Sequence, residues 1–197
     1  MKLNWAERWV VNNPLRVWEQ QYEIRRLKRM MPLEAGFAAL EIGCGRGAGA
    51  GIILREFGPS RIYASDLDPA MIVKAKKYLS PVERQRAFLF TADASVLPVR
   101  TASLDAVFGF GVLHHIPDWR GALAEIARVL KPAGTYFMEE LYPALYQNFL
   151  TRHILLHPRS DRFRDQDLRQ ALAEAGLSLA DFIECKRLGI LGVAVKQ

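Results

Sequence analysis

Three kinds of residue in this sequence stand where chemistry could be done. The first is a run of glycines: LEIGCGRGAGAG, Leu40 to Gly51, carries Gly43, Gly45, Gly47, Gly49 and Gly51. An apolar stretch, Phe37 to Ile42, leads into it, and Ile52-Ile53-Leu54 follows it. Strand, side-chain-free turn and helix start together present backbone N–H groups to the polar part of a nucleotide-like ligand. Gly43, Gly45 and Ala48 satisfy the G-x-G-x-x-G/A spacing of dinucleotide sites. The same residues could also make a tight turn that holds no ligand.

The second kind is carboxylates. Glu41 precedes the glycines, Asp66 lies 21 residues beyond Gly45, and Asp93 and the pair Glu139-Glu140 follow later. A carboxylate placed like Asp66 can accept hydrogen bonds from both hydroxyls of a ribose. Asp68 is better suited to capping a helix. Asp93 could meet an adenine amino group or cap its own turn. The third kind is the pair His114-His115. These, with Glu140 and more weakly Glu139, are the candidates for a general base, needed only if an acceptor must lose a proton. Consecutive extended residues face opposite ways, so at most one histidine would serve a pocket, and both could simply position their loop.

These residues need elements to bring them together. Phe37 to Ile42, Arg61 to Asp66, Ala87 to Thr91, Leu104 to Phe110 and Thr135 to Glu140 read as strands. Helices fall between several of them: one after the glycines that stops at Gly58-Pro59, one capped by Asp68-Pro69, and one capped by Asp118 that ends at Lys131-Pro132-Ala133-Gly134. Pro143 to His157 and Asp165 to Ala175 have helical patterns, and Leu177 to Lys186 and Leu188 to Lys196 read as a terminal antiparallel pair. Strands joined through helices predict a Rossmann-like α/β fold: a doubly wound, mostly parallel, seven-stranded sheet with helices on both faces and a C-terminal antiparallel hairpin. Ligands of such sheets sit beyond the carboxyl ends of the strands, where the chemistry-bearing residues collect.

Residues 1–35 read as helices laid before this core. Asn13-Pro14 starts one of them, and Trp5 and Trp9 form a pair on another. From Leu15 onward the apolar residues split into two arcs. Leu15, Trp18 and Tyr22 form one; Val17, Ile24, Leu27 and Met31 form the other. With the basic run Arg25, Arg26, Lys28 and Arg29, this segment is expected to pack and be solvated, to cover a hydrophobic substrate as a lid, or to touch lipid headgroups. The segment from His157 to Phe163 could bind an anionic group, or could hold Asp161 against a nearby arginine.

The bulk numbers set limits. A chain of 197 residues favours one domain. The net charge of +6 is compatible with an acidic ligand, a nucleic acid or an anionic surface and requires none of them. Two cysteines, Cys44 and Cys185, make neither a disulfide framework nor a metal quartet, so a reducing cytoplasm is expected and no metal site is. The opening MKLNWAERWV has no apolar signal block, and no long uncharged apolar stretch is present to span a bilayer.

Taken in order, LEIGCGRG, SDLDPAM, TADASVLP, LDAVFGFGVLHHIPDW and LKPAGTYFMEE resemble the successive motifs of the class I S-adenosylmethionine (SAM)-dependent methyltransferases. They are most similar to the group that includes quinone, sterol and other small-molecule methylases. The resemblance covers residues 36–142 and implies a single domain with this SAM-binding core, the N-terminal helices 1–35 as extension or lid, and helices plus hairpin over 143–197. By resemblance, Glu41, Gly43, Cys44 and Gly45 line the methionine part of SAM, and Asp66 holds the ribose. Leu67 and Met71 pack on the adenine, Asp93 and Ala94 meet its edge, and Phe110 lies near the sulfonium. A dinucleotide dehydrogenase normally needs a substrate domain that little chain is left to build.

The expected activity is methyl transfer from SAM to a small, hydrophobic or lipid-like acceptor, with peripheral membrane contact possible through residues 1–30. RNA or protein methylation and a non-catalytic SAM-binding subunit are the alternatives. No Asn/Asp-Pro-Pro-aromatic motif or cytosine-C5 cysteine motif is present, and no basic stripe interleaved with aromatics marks a nucleic-acid groove.

Overall fold

In the computed structural model, residues 13–146, 163–185 and 188–197 are described. The Asn13 side chain accepts the Leu15 N–H at 3.0 Å and Pro14 occupies the first turn, which starts helix α1 (Pro14–Met30). Its two arcs separate as the spacing predicts. Ile24 and Leu27 are wholly buried, with Val17 and Met31 packed beside them, while Leu15, Trp18 and Tyr22 face outward.

Strands β1 (Ala38–Ile42), β2 (Arg61–Asp66), β3 (Ala87–Thr91), β4 (Leu104–Phe110), β5 (Leu130–Leu141), β6 (Leu177–Cys185) and β7 (Gly189–Lys196) form one sheet of seven strands in the order β3-β2-β1-β4-β5-β7-β6. Pairs from β3 to β5 are parallel; β7 runs antiparallel to both β5 and β6. The strand order reverses direction between β1 and β4, which opens a crevice at their carboxyl ends.

Helices α2 (Ala48–Glu56), α3 (Pro69–Tyr78), α5 (Trp119–Val129) and α7 (Asp165–Glu174) cover the sheet, with short α4 (Pro81–Arg86) and α6 (Pro143–Tyr146) between them. Alternate strand residues feed two cores. Leu40, Val107, Tyr136 and Met138 meet Trp119, Leu123 and Ile126 of α5 on one face. Ala39, Phe108 and Phe137 meet Ile24, Leu27 and the α2 side chains on the other. There Phe108 and Phe137 stack at 4.7 Å, and Phe57 meets both edge-on at 5.2 and 5.1 Å.

Three details differ from the sequence reading. Helix α4 is added: Ser80 and Glu83 cap each other's backbone, a local device too short to show as a periodicity. Strand β5 begins at Leu130, not Thr135, because Lys131 pairs with Asp105 at 2.6 Å and holds the segment beside β4, with a register irregularity there. A 3-10 turn forms at Leu113–His115. The Trp5–Trp9 pair, the helical pattern beyond Tyr146 and the 157–163 loop apart from Phe163 lie outside the described residues. Phe163 is buried, its ring 4.8 Å from that of Trp119.

Candidate active site

The turn between β1 and α2 is shaped by what glycine lacks. Gly47 stands at the start of α2 with φ +86°, where a side chain is strained, and a Cβ there would come within 3.0 Å of Ala75. Gly49 lets Glu41 approach the helix; its Cβ would sit 1.9 Å from Glu41 Oε1. Glu41, one residue before the end of β1, therefore lies under the first turn of α2, almost wholly buried. Its Oε2 has no hydrogen-bond partner. Burial pushes its pKa up to about 8; the Ala50 N–H opposes that rise and the nearby Asp66 charge adds to it.

Asp66, the last residue of β2, ties two loops together. Its Oδ2 accepts the Gly45 N–H at 2.9 Å and its Oδ1 the Asp68 N–H at 2.8 Å. Burial raises its pKa, and these two N–H groups pull it back. Carboxylate oxygens have further lone pairs, so both can still accept from a ligand. Asp68 accepts the Ala70 N–H at 3.0 Å and caps α3. Beyond β3, Asp93 accepts both the backbone N–H and the hydroxyl of Ser95, at 2.9 and 2.7 Å, which lower its pKa.

One cleft collects these groups. Glu41, Gly43, Cys44 and Gly45 line one part of it; Asp66, Leu67 and Met71 another; Asp93, Ala94 and Phe110 a third. The Cys44 thiol is buried and its pKa is raised by that burial and by the charges of Glu41 and Asp66, so it is no nucleophile. The three candidate bases part company. His115 lines the cleft beside Val112, Ile116 and Pro117. His114 and Glu140 do not reach it: His114 Nδ1 lies 2.9 Å from Glu140 Oε2, both side chains buried. Glu140 Oε1 also accepts the N–H groups of Val112 and Leu113, at 3.1 and 2.8 Å. This buried carboxylate thus folds the turn that carries His115, whose ring lies 4.3 Å from that of His114.

Glu139 is engaged elsewhere. Its Oε2 lies 2.9 Å from Arg16, whose other nitrogen reaches Glu23 at 2.8 Å and Glu19 at 3.1 Å. Burial raises the pKa of Glu139 and of Glu23 while Arg16 draws both down. Burial also works against the Arg16 charge, but its carboxylate partners more than offset this and raise its pKa. Arg16 and Gln20 of α1 line the cleft as well, and sequence reasoning missed both. Both stand at or beside the apolar arc of Val17, Ile24, Leu27 and Met31, so the helix side that packs on the core also turns these two polar residues toward the crevice.

Comparison with known proteins follows this geometry. The family model for a methyltransferase domain matches residues 40–138, half of the chain. The 27-O-demethylrifamycin SV methyltransferase of Amycolatopsis mediterranei is 35% identical over 111 residues, 55% of this chain and 40% of that protein. The phthiotriol/phenolphthiotriol dimycocerosates methyltransferase of Mycobacterium leprae is 34% identical over 112 residues, 56% of this chain and 40% of that one. The chain thus spans less than half the length of these curated relatives. A SAM-dependent methyltransferase structure from Aquifex aeolicus covers 100% of both chains with a TM-score of 0.77 at 16% identity, a likeness of fold.

Proposed function

The chain belongs to the class I SAM-dependent methyltransferases, and from that membership we propose that it transfers a methyl group from SAM to a small, hydrophobic or lipid-like acceptor. The observation that carries the cofactor assignment is the pair of carboxylates across the glycine turn. Glu41 keeps a buried oxygen without a hydrogen-bond partner, and Asp66 faces the same cleft from the next strand. A buried polar atom left unsatisfied is costly, and a ligand ammonium is a partner that would remove the cost. The residues present therefore fit SAM.

In this reading Glu41 accepts from the ammonium of the methionine part, beside Gly43, Cys44 and Gly45. Asp66 accepts from the ribose hydroxyls. Leu67 and Met71 hold the adenine faces, and Asp93 and Ala94 its edge. Phe110 stands at the reacting end. SAM supplies an electrophilic methyl carbon on a sulfonium centre. The chain's own work is to orient the acceptor and exclude water, because positioning alone can provide most of the acceleration. Val112, Ile116 and Pro117 give the acceptor end an apolar wall. His115 is the side chain placed to take a proton at one of its ring nitrogens if the acceptor is a hydroxyl. Relatives named for methylating 27-O-demethylrifamycin SV and phthiotriol/phenolphthiotriol dimycocerosates support a hydrophobic acceptor. Residues 36–142 serve as the cofactor-binding core and the N-terminal helix as its cover.

Titration calorimetry with SAM and with its demethylated product tests the cofactor assignment, and a screen of long-chain hydroxyl and phenolic acceptors against tRNA and free amines tests the acceptor class. Binding of both cofactor forms with turnover confined to the hydrophobic group is the expected result. Activity only on charged, water-soluble acceptors would remove the acceptor assignment; failure to bind either form would remove the cofactor assignment.

A further inference from the structure

The outward side of α1 is unusual for a helix that packs on a sheet. Leu15, Trp18 and Tyr22 are 75%, 81% and 68% exposed. They stand three and four residues apart, one above the other on a single stripe. The exposed Arg25 and Arg29 continue that stripe toward the helix end. At 100° per residue all five lie within an arc of about 80°. The buried Ile24 and Leu27 lie on the other side, so the stripe is not a misplaced part of the core.

We propose that this stripe of α1, Leu15–Trp18–Tyr22 with Arg29, rests on an anionic membrane surface. The proposal builds on the lipid-like acceptor proposed above but depends on a different face of the helix. Tryptophan and tyrosine favour the boundary between headgroups and acyl chains, where an apolar ring and a polar tip are both satisfied. Arginine adds attraction to lipid phosphates. The net charge of +6 acts in the same direction. Arg16 and Gln20, which line the cleft, stand roughly 140–180° around the helix from the stripe, so a contact through the stripe does not cover them.

The opposing charges are named and few. Glu19 is exposed near the stripe, but Arg16 stands 3.1 Å from it. Arg25 is drawn to Glu56 at 2.7 Å, and Lys28 donates to the Glu56 carbonyl, so Arg29 carries most of the attraction. A second copy of the chain is a poorer occupant. Three side chains fall well short of the roughly 800 Å² per partner of a stable interface, and two copies at this net charge repel. The contact is weak and reversible, because among the described residues no helix is long and apolar enough to cross a bilayer.

The test uses the full chain and unilamellar vesicles, one set of phosphatidylcholine alone and one containing a third phosphatidylglycerol, with co-sedimentation as the readout. Binding to the anionic set that weakens as salt is raised is expected. Trp18→Ala with Tyr22→Ala should lower the partition coefficient about tenfold or more, and Arg29→Gln about fivefold. SAM affinity by calorimetry should stay unchanged in every variant, which also shows that they fold. Absence of binding at low salt, equal binding to both vesicle sets, or variants that bind like the parent would overturn the proposal. So would a dimer in sedimentation equilibrium that the double variant dissociates. Loss of SAM binding with vesicle binding intact would instead strike the cofactor assignment.

Discussion

Burial raises the pKa of both Glu41 and Asp66, and each can be weighed one side chain at a time. Glu41 ionises near its ordinary 4.5 in the unfolded chain and at about 8 in the folded one. Between those values the folded protein holds the additional proton. Its contribution to stability is complete below 4.5 and is lost as pH rises through about 8. Thermal scans should therefore show a lower melting temperature at the alkaline end of that window, and Glu41→Gln should flatten the decline. A cofactor ammonium against Glu41 favours its charged form, so SAM binding at about pH 7 should expel a proton. Calorimetry in two buffers of different ionisation enthalpy measures it, and equal heats in both would exclude this contact. Asp66→Ala removes two proposed charge-assisted bonds to ribose. At about 1.5–3 kcal/mol each, SAM affinity should fall on the order of 100-fold, read by the same titration. The variant also frees the Gly45 and Asp68 N–H groups, so part of the loss reaches the ligand through the loop.

At the level of elements, the turn after β4 depends on a residue of β5. Glu140 accepts from Val112 and Leu113 and meets His114, all in a buried setting. Glu140→Ala leaves those groups unsatisfied and should cost on the order of 3 kcal/mol by denaturant unfolding. Glu140→Gln keeps one acceptor and should cost less. If His115 takes the acceptor proton, the alanine variant should also lower kcat more than it weakens SAM binding, because the turn holding His115 loosens.

The same turn shows where sequence reading stops. The alternation of strands and helices, the glycine turn and the carboxylates at the strand ends were legible, because each follows from local spacing. The face chosen by Glu140 was not, since Glu139 and Glu140 are equally acidic and only the long-range partners Arg16 and His114 distinguish them. The early start of β5 was hidden likewise: Pro132 and Gly134 read as a stop, and the Lys131–Asp105 pair that extends the strand spans 26 residues.

Across the whole molecule, α1 is joined to the sheet at its two ends by different means. Near its start Arg16 bridges to Glu139 of β5; near its end Arg25 and Lys28 meet Glu56 of α2, and Ile24 and Leu27 fill the core. Arg16→Met removes the first tie and strands two buried carboxylates, Glu23 and Glu139. A partner lost from a buried ion pair costs about 3–5 kcal/mol. Amide exchange should accelerate in the first turns of α1 while the Ile24–Leu27 turn stays protected. Uniform acceleration along the helix would show that the apolar contacts do not anchor it separately. The two arcs of α1 were visible in the sequence; Arg16 as a link to a strand more than a hundred residues away was not, because nothing local marks it.

Strand β7 is inserted between β5 and β6, both of which are made before it. On a ribosome, therefore, β5 emerges with one edge paired to β4 and the other open, β6 emerges with no strand to pair with, and that side of the sheet waits until Gly189–Lys196 has left the exit tunnel. A nascent chain arrested short of residue 189 would expose β6 to protease along its whole length. Emergence of β7 is the step at which that half of the sheet closes.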